Sequence, residues 1–357
     1  MKLGIVGLPN VGKTTLFNAL TGSKAETGSY TVAGAKPNVG VAKVPDERLD
    51  WLADYYHPKK YSPATIEFVD VPGVAGGGKG NEVFQAIRQV DALVEVVRCF
   101  DNDDVFLEPA DAVRDAASFE LELILADIEI VERRLDRAKK NAKGGDKKYK
   151  REAEMCQALI EHLEAEKPAR DFPFTEEDQD ILTDGGLLTV KPVIYAANLD
   201  EDGMAHVSGN ANFKALQAYA GERGAAVLPV AAKFEEDLAE LDAEEAQVFM
   251  EDLGLSETGL DRLIRTSYEL LGYISFLTAG EDDVHAWTIV RGTKAPKAAG
   301  KIHTDIERGF IRAEIVAFED LKACGSMAAA KEKGLFRLEG KDYVMRDGDV
   351  TMFRFNV

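Results

Sequence analysis

The chain of 357 residues has 43 basic and 63 acidic side chains, and its net charge of −20 argues against a wholly basic nucleic-acid-binding protein. Its length suggests two or three domains, and its hydrophobic content of 45% is typical of an ordered protein with a full core. The three cysteines have no metal-site spacing, and no apolar run approaches the roughly 18 residues of a membrane span. Because Met1 leads almost directly into a strand pattern, we expect no signal peptide and an intracellular protein.

Five short apolar segments recur along the chain and end in polar loops. Most are rich in β-branched residues and do not alternate with polar residues, as expected for strands buried on both faces of a sheet. Helical patterns separate them, which predicts an α/β fold with a doubly wound sheet that binds ligands beyond the carboxyl ends of its strands. The predicted strands are residues 2–7, 65–70, 92–98, 192–198 and 225–230.

The first predicted strand leads into residues 7–14, GLPNVGKT, which fit the phosphate-binding pattern G-x-x-x-x-G-K-[ST]. A helical pattern follows, so backbone N–H groups and the helix dipole would both face bound phosphates. We expect Lys13 to reach the β- and γ-phosphates and Thr14 to offer its hydroxyl to Mg²⁺. The loop therefore predicts a site for a nucleoside triphosphate.

A second phosphate-site motif, DVPG at residues 70–73, begins at the end of the second predicted strand. We expect Asp70 to hold the water shell of the metal and the Gly73 N–H to contact the γ-phosphate, which makes them, with Lys13, the predicted catalytic residues. The glycine-rich stretch GVAGGGKG predicts a switch that orders when the γ-phosphate is present. Val74 stands where many related GTPases carry a water-orienting glutamine, so slow intrinsic hydrolysis is expected.

Between the third and fourth predicted strands, residues 114–169 have the pattern of two long helices joined by the polar link NAKGGD. Apolar residues in both helices repeat at 4-3 spacing, which predicts an antiparallel coiled-coil hairpin inserted into the sheet domain. The predicted seam comprises Ala117, Leu121, Ile124, Ile128, Val131, Leu135 and Ala138 of the first helix with Tyr149, Ala153, Cys156, Ile160 and Leu163 of the second.

The tip of this hairpin, residues 133–151, concentrates positive charge on an acidic chain. Such a concentration predicts contact with a phosphate backbone. Its only aromatic residue is Tyr149, so we expect folded RNA rather than stacked single strands. The basic residues are Arg133, Arg134, Arg137, Lys139, Lys140, Lys143, Lys147, Lys148, Lys150 and Arg151, and the acidic ones are Asp136 and Asp146.

Residues 198–201, Asn-Leu-Asp-Glu, stand where many P-loop G proteins carry Asn-Lys-x-Asp to bind guanine. The final Asp of that motif accepts two hydrogen bonds from guanine, whereas Glu201 is one methylene longer and Leu199 replaces the Lys. A site built on paired hydrogen bonds loses roughly 10⁴-fold when they fail, so we expect the preference for guanine to be lost. The predicted base-binding residues are Asn198, Leu199 and Glu201, with Ala232 and Lys233 on the opposite side.

After about Phe276 the pattern changes to a compact α+β module of about 80 residues. It predicts a strand over residues 286–292, a short helix over 298–310 and a strand over 311–318. Residues 342–357 predict a β-hairpin with an Asp-Gly turn.

Together these motifs resemble the YchF/Ola1 family of Obg-related P-loop ATPases over essentially the whole chain. The resemblance is carried by GLPNVGKTTLFNAL, KPNVGVAKVPDERLD, FVDVPG, VVRCF, LILADIEIVERRL, NLDED and the C-terminal AGKIHTDIERGFIRAEIV and EGKDYVMRDGDVTMFRFNV. It implies a P-loop G-type domain over residues 1–113 and 190–275, a coiled-coil insertion over 114–189, and a TGS-like β-grasp module over 276–357.

The resemblance also implies that ATP is preferred over GTP, with Leu199 against adenine and Thr14 on Mg²⁺. The residues implied around the phosphates are Asn10, Val11, Gly12, Lys13, Thr14 and Thr15. It further implies a cytoplasmic protein that binds the ribosome, with rRNA contacts through the hairpin tip and the TGS-like module. No membrane or DNA partner is expected.

Two positions depart from the family pattern. Gly34 replaces a threonine of the first switch, and Leu107 replaces a histidine linked to hydrolysis. Two alternatives therefore stay open beside a slow ATPase. One is a GTPase of the Obg-like class that takes guanine through Asp200 or Asp202. The other is a nucleotide-gated ribosome- or RNA-binding module with negligible hydrolysis.

Overall fold

The structure is a computed structural model that describes residues 2–25, 37–73, 81–102, 106, 108–144, 146–178, 186–241, 243–252 and 257–356. The chain divides into two compact units, one comprising Met1–Val41 with Glu67–Leu263 and the other Ala42–Ile66 with Ile264–Val357. The three-part domain division expected from the sequence stays a prediction. In the described part of the chain, no helix is both long enough and apolar enough to cross a membrane.

The secondary structure alternates between strands and helices through most of the chain. The strands are β1 (Lys2–Val6), β2 (Asn38–Lys43), β3 (Lys60–Ser62), β4 (Thr65–Asp70), β5 (Ala92–Arg98), β6 (Val193–Asn198), β7 (Ala226–Val230), β8 (Tyr273–Ala279), β9 (Asp283–Val290), β10 (Phe310–Ala317), β11 (Arg337–Glu339) and β12 (Asp349–Phe355). The helices are α1 (Lys13–Thr21), α2 (Glu47–Tyr56), α3 (Asn81–Arg88), α4 (Ala112–Ala142), α5 (Lys147–Glu164), α6 (Glu201–Ala205), α7 (Ala211–Gly221), α8 (Ala232–Leu238), α9 (Ala243–Asp252), α10 (Gly259–Leu270), α11 (Ala295–Ile302), α12 (Thr304–Arg308), α13 (Phe318–Cys324) and α14 (Met327–Glu332).

The first sheet has the strand order β2-β4-β1-β5-β6-β7, and β4, β1, β5, β6 and β7 run parallel. This confirms the predicted α/β fold and all five predicted strands to within one residue. Every residue of β5 and β6 is buried, as expected for central strands covered on both faces. Because parallel strands end at one edge, the loops that follow β1, β4, β5, β6 and β7 meet there.

The helical hairpin consists of α4 and α5, which pack against each other along its outer part. Its predicted seam is confirmed from Ile124 to Leu135 and from Ala153 to Leu163, where a buried cluster joins the two helices. The first part of the predicted seam is wrong, because Ala117 and Leu121 are exposed. At this end α4 packs on the sheet instead, through the buried residues Ala112, Ala116, Phe119, Leu123 and Ala126. The buried face of α4 therefore rotates where the helix leaves the sheet.

The second unit contains a mixed sheet with the order β11-β10-β12-β8-β9-β3. The pairs β10–β12 and β8–β9 are antiparallel, whereas β12 and β8 are parallel. α11 covers one face of this sheet through Ala295, Ala298 and Ala299, which pack with Phe276 and Phe353. A mixed sheet crossed by a helix agrees with the predicted β-grasp module.

The β-hairpin predicted over residues 342–357 is wrong. β12 pairs with β10 and β8, and the residues before it form a loop rather than a partner strand. Tertiary hydrogen bonds explain this loop, because Asp347 accepts from the Ser275 N–H at 2.8 Å and Gly348 donates to the Ser275 carbonyl at 2.9 Å. The single helix predicted over 298–310 is likewise two helices, which break at His303.

Candidate nucleotide-binding site

The phosphate loop joins the end of β1 to the start of α1 and contains three residues with positive φ. Gly7 has φ 137°, and a Cβ there would lie 2.6 Å from the Val96 carbonyl oxygen. Gly12 has φ 99°, and a Cβ there would clash with the Asn198 amide. Glycine adopts these conformations at little cost, so both glycines of the motif are needed for the loop to close. Asn10, between them, has φ 64°.

The start of α1 is built to favour an anion. The residue before Lys13 is Gly12, which has no side chain to cap the helix. The backbone N–H groups of the first turn and the helix dipole then attract negative charge. Of the other residues expected around the phosphates, Asn10 is exposed, Val11 is buried, and Thr14 and Thr15 are half-buried.

Lys13 lies inside this loop with a side chain that is 7% exposed. Its ammonium donates a 2.5 Å hydrogen bond to the Leu8 carbonyl oxygen. Burial lowers the pKa of Lys13 to about 8, and the nearby charge of Asp70 partly opposes this shift. A Cβ on Gly73 would lie 3.0 Å from the Lys13 Nζ, so the sheet edge brings the three predicted catalytic residues together.

Asp70 ends β4 beside the first turn of α1. The Thr14 hydroxyl donates to its Oδ2 at 3.0 Å, and the Asn38 amide donates to the same oxygen at 3.4 Å. Burial raises the pKa of Asp70, against the opposing hydrogen bonds from Thr14 and Asn38 and the charge of Lys13. The carboxylate is thus held by polar groups on two other segments, α1 and β2.

The donors at this position fit a magnesium ion. Thr14 donates its hydroxyl proton to Asp70, which leaves the lone pairs of its oxygen available to a cation. Mg²⁺ prefers oxygen ligands and is usually held by one or two protein groups together with phosphates and water. Thr14 and Asp70 are therefore the residues that would hold the ion and its water shell.

Asn198 connects the base loop to the phosphate loop. Its Nδ2 donates to the Val11 carbonyl at 2.9 Å, and its Oδ1 accepts from the Ala232 N–H at 3.0 Å. The Leu199 N–H donates to the Val230 carbonyl at 2.8 Å, which ties the loops after β6 and β7 together. Asn198 and Leu199 are 5% and 3% exposed, so this junction is buried and closely packed.

The three acidic residues of the base loop differ in their contacts and exposure. Asp200 caps α6, because its Oδ1 accepts from the Gly203 N–H at 2.8 Å. Glu201 and Asp202 lie in the first turn of α6 and are exposed. On the opposite side, Ala232 is buried, and Lys233 is exposed and paired with Asp237 at 2.8 Å and Glu236 at 3.3 Å.

Two polar residues of the site were missed by sequence reasoning. Asn38 reaches Asp70, although its only signal was its place in the KPNVG stretch. Asn18 of α1 exchanges two 2.9 Å hydrogen bonds with the backbone of Ala25, and no sequence pattern indicates this contact. Residues 74–80 of the predicted glycine-rich switch lie outside the described residues, as do the departures at Gly34, Val74 and Leu107.

Comparison with known proteins agrees with this geometry. Residues 2–131 match the model of a family described as 50S ribosome-binding GTPase, and residues 273–356 match YchF-GTPase_C, described as a protein of unknown function (DUF933). The ribosome-binding ATPase YchF of Bacillus subtilis is 51% identical over 99% of each chain. The chain belongs to the YchF family.

Two further matches extend over nearly the whole chain. The Obg-like ATPase 1 of Oryza sativa subsp. japonica is 40% identical, with 100% of this chain and 92% of the relative covered. The structure of the Schizosaccharomyces pombe YchF GTPase aligns with a TM-score of 0.87 at 34% identity, over 99% of this chain and 97% of that one. The fold of the YchF family is therefore present in both units.

Proposed function

We propose that this chain is a slow, Mg²⁺-dependent ATPase that binds the ribosome in the cytoplasm and changes its binding with the bound nucleotide. The observation that carries the proposal is the Asn198 junction, which attaches a base loop lacking the guanine-binding Asp to a complete phosphate loop. The relatives named ribosome-binding ATPase and Obg-like ATPase support the same activity.

Each residue of the phosphate site has a separate task in this proposal. The loop N–H groups and the Lys13 ammonium bind the phosphate oxygens, and Lys13 exchanges the Leu8 carbonyl for a phosphate when ATP enters. Thr14 and Asp70 hold Mg²⁺, which supplies charge neutralisation to the transferring phosphoryl group. The Gly73 N–H contacts the γ-phosphate and so distinguishes ATP from ADP.

For the base, the proposal places adenine against Leu199 and Asn198, between the 198–201 loop and the segment containing Ala232 and Lys233. The capping role of Asp200 argues against guanine binding through Asp200, because its Oδ1 already accepts from the Gly203 N–H. Guanine binding through Asp202, which is exposed, is tested by the titration with ATP and GTP. The other alternative, a binding module without turnover, is tested by phosphate release with and without ribosomes. Release at the buffer rate in both conditions would favour that module.

The decisive experiment is an equilibrium titration with labelled ATP and GTP. We expect ATP to bind more tightly to the natural chain. The double variant Leu199→Lys with Glu201→Asp rebuilds Asn-Lys-x-Asp at 198–201 and is expected to gain affinity for GTP. Equal or tighter binding of GTP by the natural chain would overturn the adenine preference.

The proposed ribosome contact uses the basic hairpin tip, with the TGS-like module as a second contact. Two arginines of the tip are paired within the chain, since Arg134 bonds Glu152 at 2.7 Å and Arg151 bonds the Thr175 hydroxyl at 2.8 Å. The lysines at 139, 140, 143, 147, 148 and 150 are exposed. This concentration of cationic groups is suited to the phosphate backbone of rRNA.

Charge reversal tests this contact. The triple variant Lys139→Glu, Lys140→Glu and Lys147→Glu is expected to weaken ribosome association and to lower its salt dependence by about one unit of slope per removed contact. The control is the triple variant Lys24→Glu, Lys43→Glu and Lys214→Glu. It has the same net charge as the first variant, but its substitutions lie outside the tip. ATP affinity should be unchanged in both. Equal losses of ribosome association in the two variants would show that the tip is not the contact.

A further inference from the structure

We propose that Asn38 is a positioning residue that orients the Asp70 carboxylate for the metal. Its amide nitrogen lies 3.4 Å from Asp70 Oδ2, the oxygen that also accepts from the Thr14 hydroxyl at 3.0 Å. This inference rests on the proposed function, because it concerns the Mg²⁺ ion that an ATPase of this type uses.

The second hydrogen-bond donor on Oδ2 restricts the rotation of the Asp70 carboxylate more than the first donor does alone. A single hydrogen bond from Thr14 leaves the carboxylate free to rotate about its Cβ–Cγ bond, which is a broad torsion. A second donor from another segment restricts that rotation. Among the described residues, the hydrogen bonds to the Asp70 side chain come from Thr14 and Asn38, and both reach Oδ2. Oδ1 is then left to accept from the water shell of the metal.

The position of Asn38 in the sheet places its side chain beside Asp70. Asn38 is the first residue of β2, Asp70 is the last residue of β4, and the two strands are neighbours in the first sheet. Asn38 is exposed, but strand pairing restricts its backbone, so its short side chain reaches only a few positions, of which the one beside Asp70 is occupied. Lys13 does not substitute for it, because its ammonium is bonded to the Leu8 carbonyl.

Asparagine also suits the chemistry of this position. Its amide donates to the carboxylate without adding charge, so it does not compete with the cation for Asp70. An acidic residue here would repel Asp70, and a basic one would repel Mg²⁺. The expected consequence of losing Asn38 is therefore weaker metal binding with an unchanged affinity for metal-free nucleotide.

The test compares Asn38→Leu, which keeps the γ-branched shape without a donor, with Asn38→Ala and with the control Val39→Ala. Val39 is the next residue of β2 and is 55% exposed. Binding of labelled ATP is measured first in EDTA and then with increasing Mg²⁺. Mn²⁺ affinity of the ADP complex, followed by electron paramagnetic resonance, gives a second readout without turnover.

Both Asn38 variants are expected to need about tenfold more Mg²⁺ for half-maximal tightening of ATP binding, the change that corresponds to one net hydrogen bond. Their ATP affinity in EDTA should stay within about twofold of the natural chain, and Asn38→Gln, which keeps the donor, should recover part of the loss. An unchanged Mg²⁺ requirement in both variants would overturn the role of Asn38. If ATP binding by the natural chain does not respond to Mg²⁺, the proposed function itself fails.

Discussion

The hydroxyl of Thr189 donates a 2.6 Å hydrogen bond to the carboxylate of Asp127, which lies on α4 and is fully buried. The same carboxylate accepts from the backbone N–H groups of Leu188 at 2.7 Å and Thr189 at 2.8 Å. Burial raises the pKa of Asp127, and these hydrogen bonds oppose the shift. One side chain thus ties the root of the hairpin to the segment that leads into β6.

This anchor predicts a large loss of stability when Asp127 is removed. Asp127→Ala leaves two buried N–H groups and a hydroxyl without their acceptor, so the free energy of unfolding should fall by about 3 kcal/mol or more. Thr189→Val removes the hydroxyl, which also accepts from the buried Ala169 N–H at 2.8 Å, and should cost about 2 kcal/mol. The control is Asp136→Ala, on the exposed face of the same helix. Chemical denaturation measures all three, and an Asp127→Ala variant as stable as the control would contradict the anchor.

The Asn198 junction predicts a linked loss of nucleotide binding and stability. Asn198→Ala removes the bonds to the Val11 carbonyl and the Ala232 N–H, so the phosphate loop and the base loop lose their link. We expect ATP affinity to fall at least about tenfold and the free energy of unfolding by about 2 kcal/mol. Asn212→Ala is the matched control, because the Asn212 Oδ1 also accepts from a backbone N–H, that of Ala112, away from the site. Retained ATP affinity in Asn198→Ala would rule out a role for the junction in binding.

Gly73 should be required for hydrolysis more than for ADP binding. An added Cβ would lie 3.0 Å from both the Lys13 Nζ and the Pro9 Cα, so in Gly73→Ala these neighbours must shift by a few tenths of an ångström. Displacement of a reacting group by about 1 Å can cost roughly 10²-fold in rate, so for this smaller shift we expect a loss of about tenfold in single-turnover phosphate release. ADP affinity should change far less.

The control for this substitution is Gly144→Ala at the hairpin tip, where an added Cβ would meet only the Asn141 carbonyl oxygen at the ordinary distance of 3.5 Å. A Gly73→Ala variant that weakens ADP and ATP equally would indicate that the substitution disrupts the whole phosphate loop. In that case the specific contact with the γ-phosphate would be wrong.

The parts of the fold and site that sequence predicts are those set by local patterns. β5 and β6 were predictable because their short, mainly apolar runs rich in β-branched residues are typical of buried strands. Lys13 and Thr14 were predictable because the loop motif fixes their positions. Asn38 and Asp127 were missed because their roles depend on residues that are distant in the sequence. The seam through Leu121 was misplaced for the same reason, since the sheet beneath α4 decides which face is buried.

A buried carboxylate next to the site, that of Glu235, has a raised pKa that the sequence did not indicate. Glu235 of α8 is 3% exposed, and its Oε1 accepts a 2.6 Å hydrogen bond from the Gly259 N–H at the start of α10. Its Oε2 is buried without a hydrogen-bond partner among the described residues. Burial raises the pKa of Glu235 from its usual 4.5 to about 7, against opposing hydrogen bonds that include the one from Gly259.

This shift predicts how stability depends on pH. The folded chain holds the Glu235 proton more tightly than the unfolded chain. The stability that this proton contributes to the folded chain is therefore complete below pH 4.5 and is lost as pH rises through about 7. The variant Glu235→Gln cannot ionise and still offers an oxygen to Gly259. Between pH 5 and pH 8.5, the free energy of unfolding of the natural chain should therefore fall relative to this variant by on the order of 3 kcal/mol. Glu222→Gln, whose side chain is 79% exposed, is the control and should follow the natural chain at every pH. Parallel pH curves for Glu235→Gln and the natural chain would mean that Glu235 ionises in the folded protein as readily as in the unfolded one.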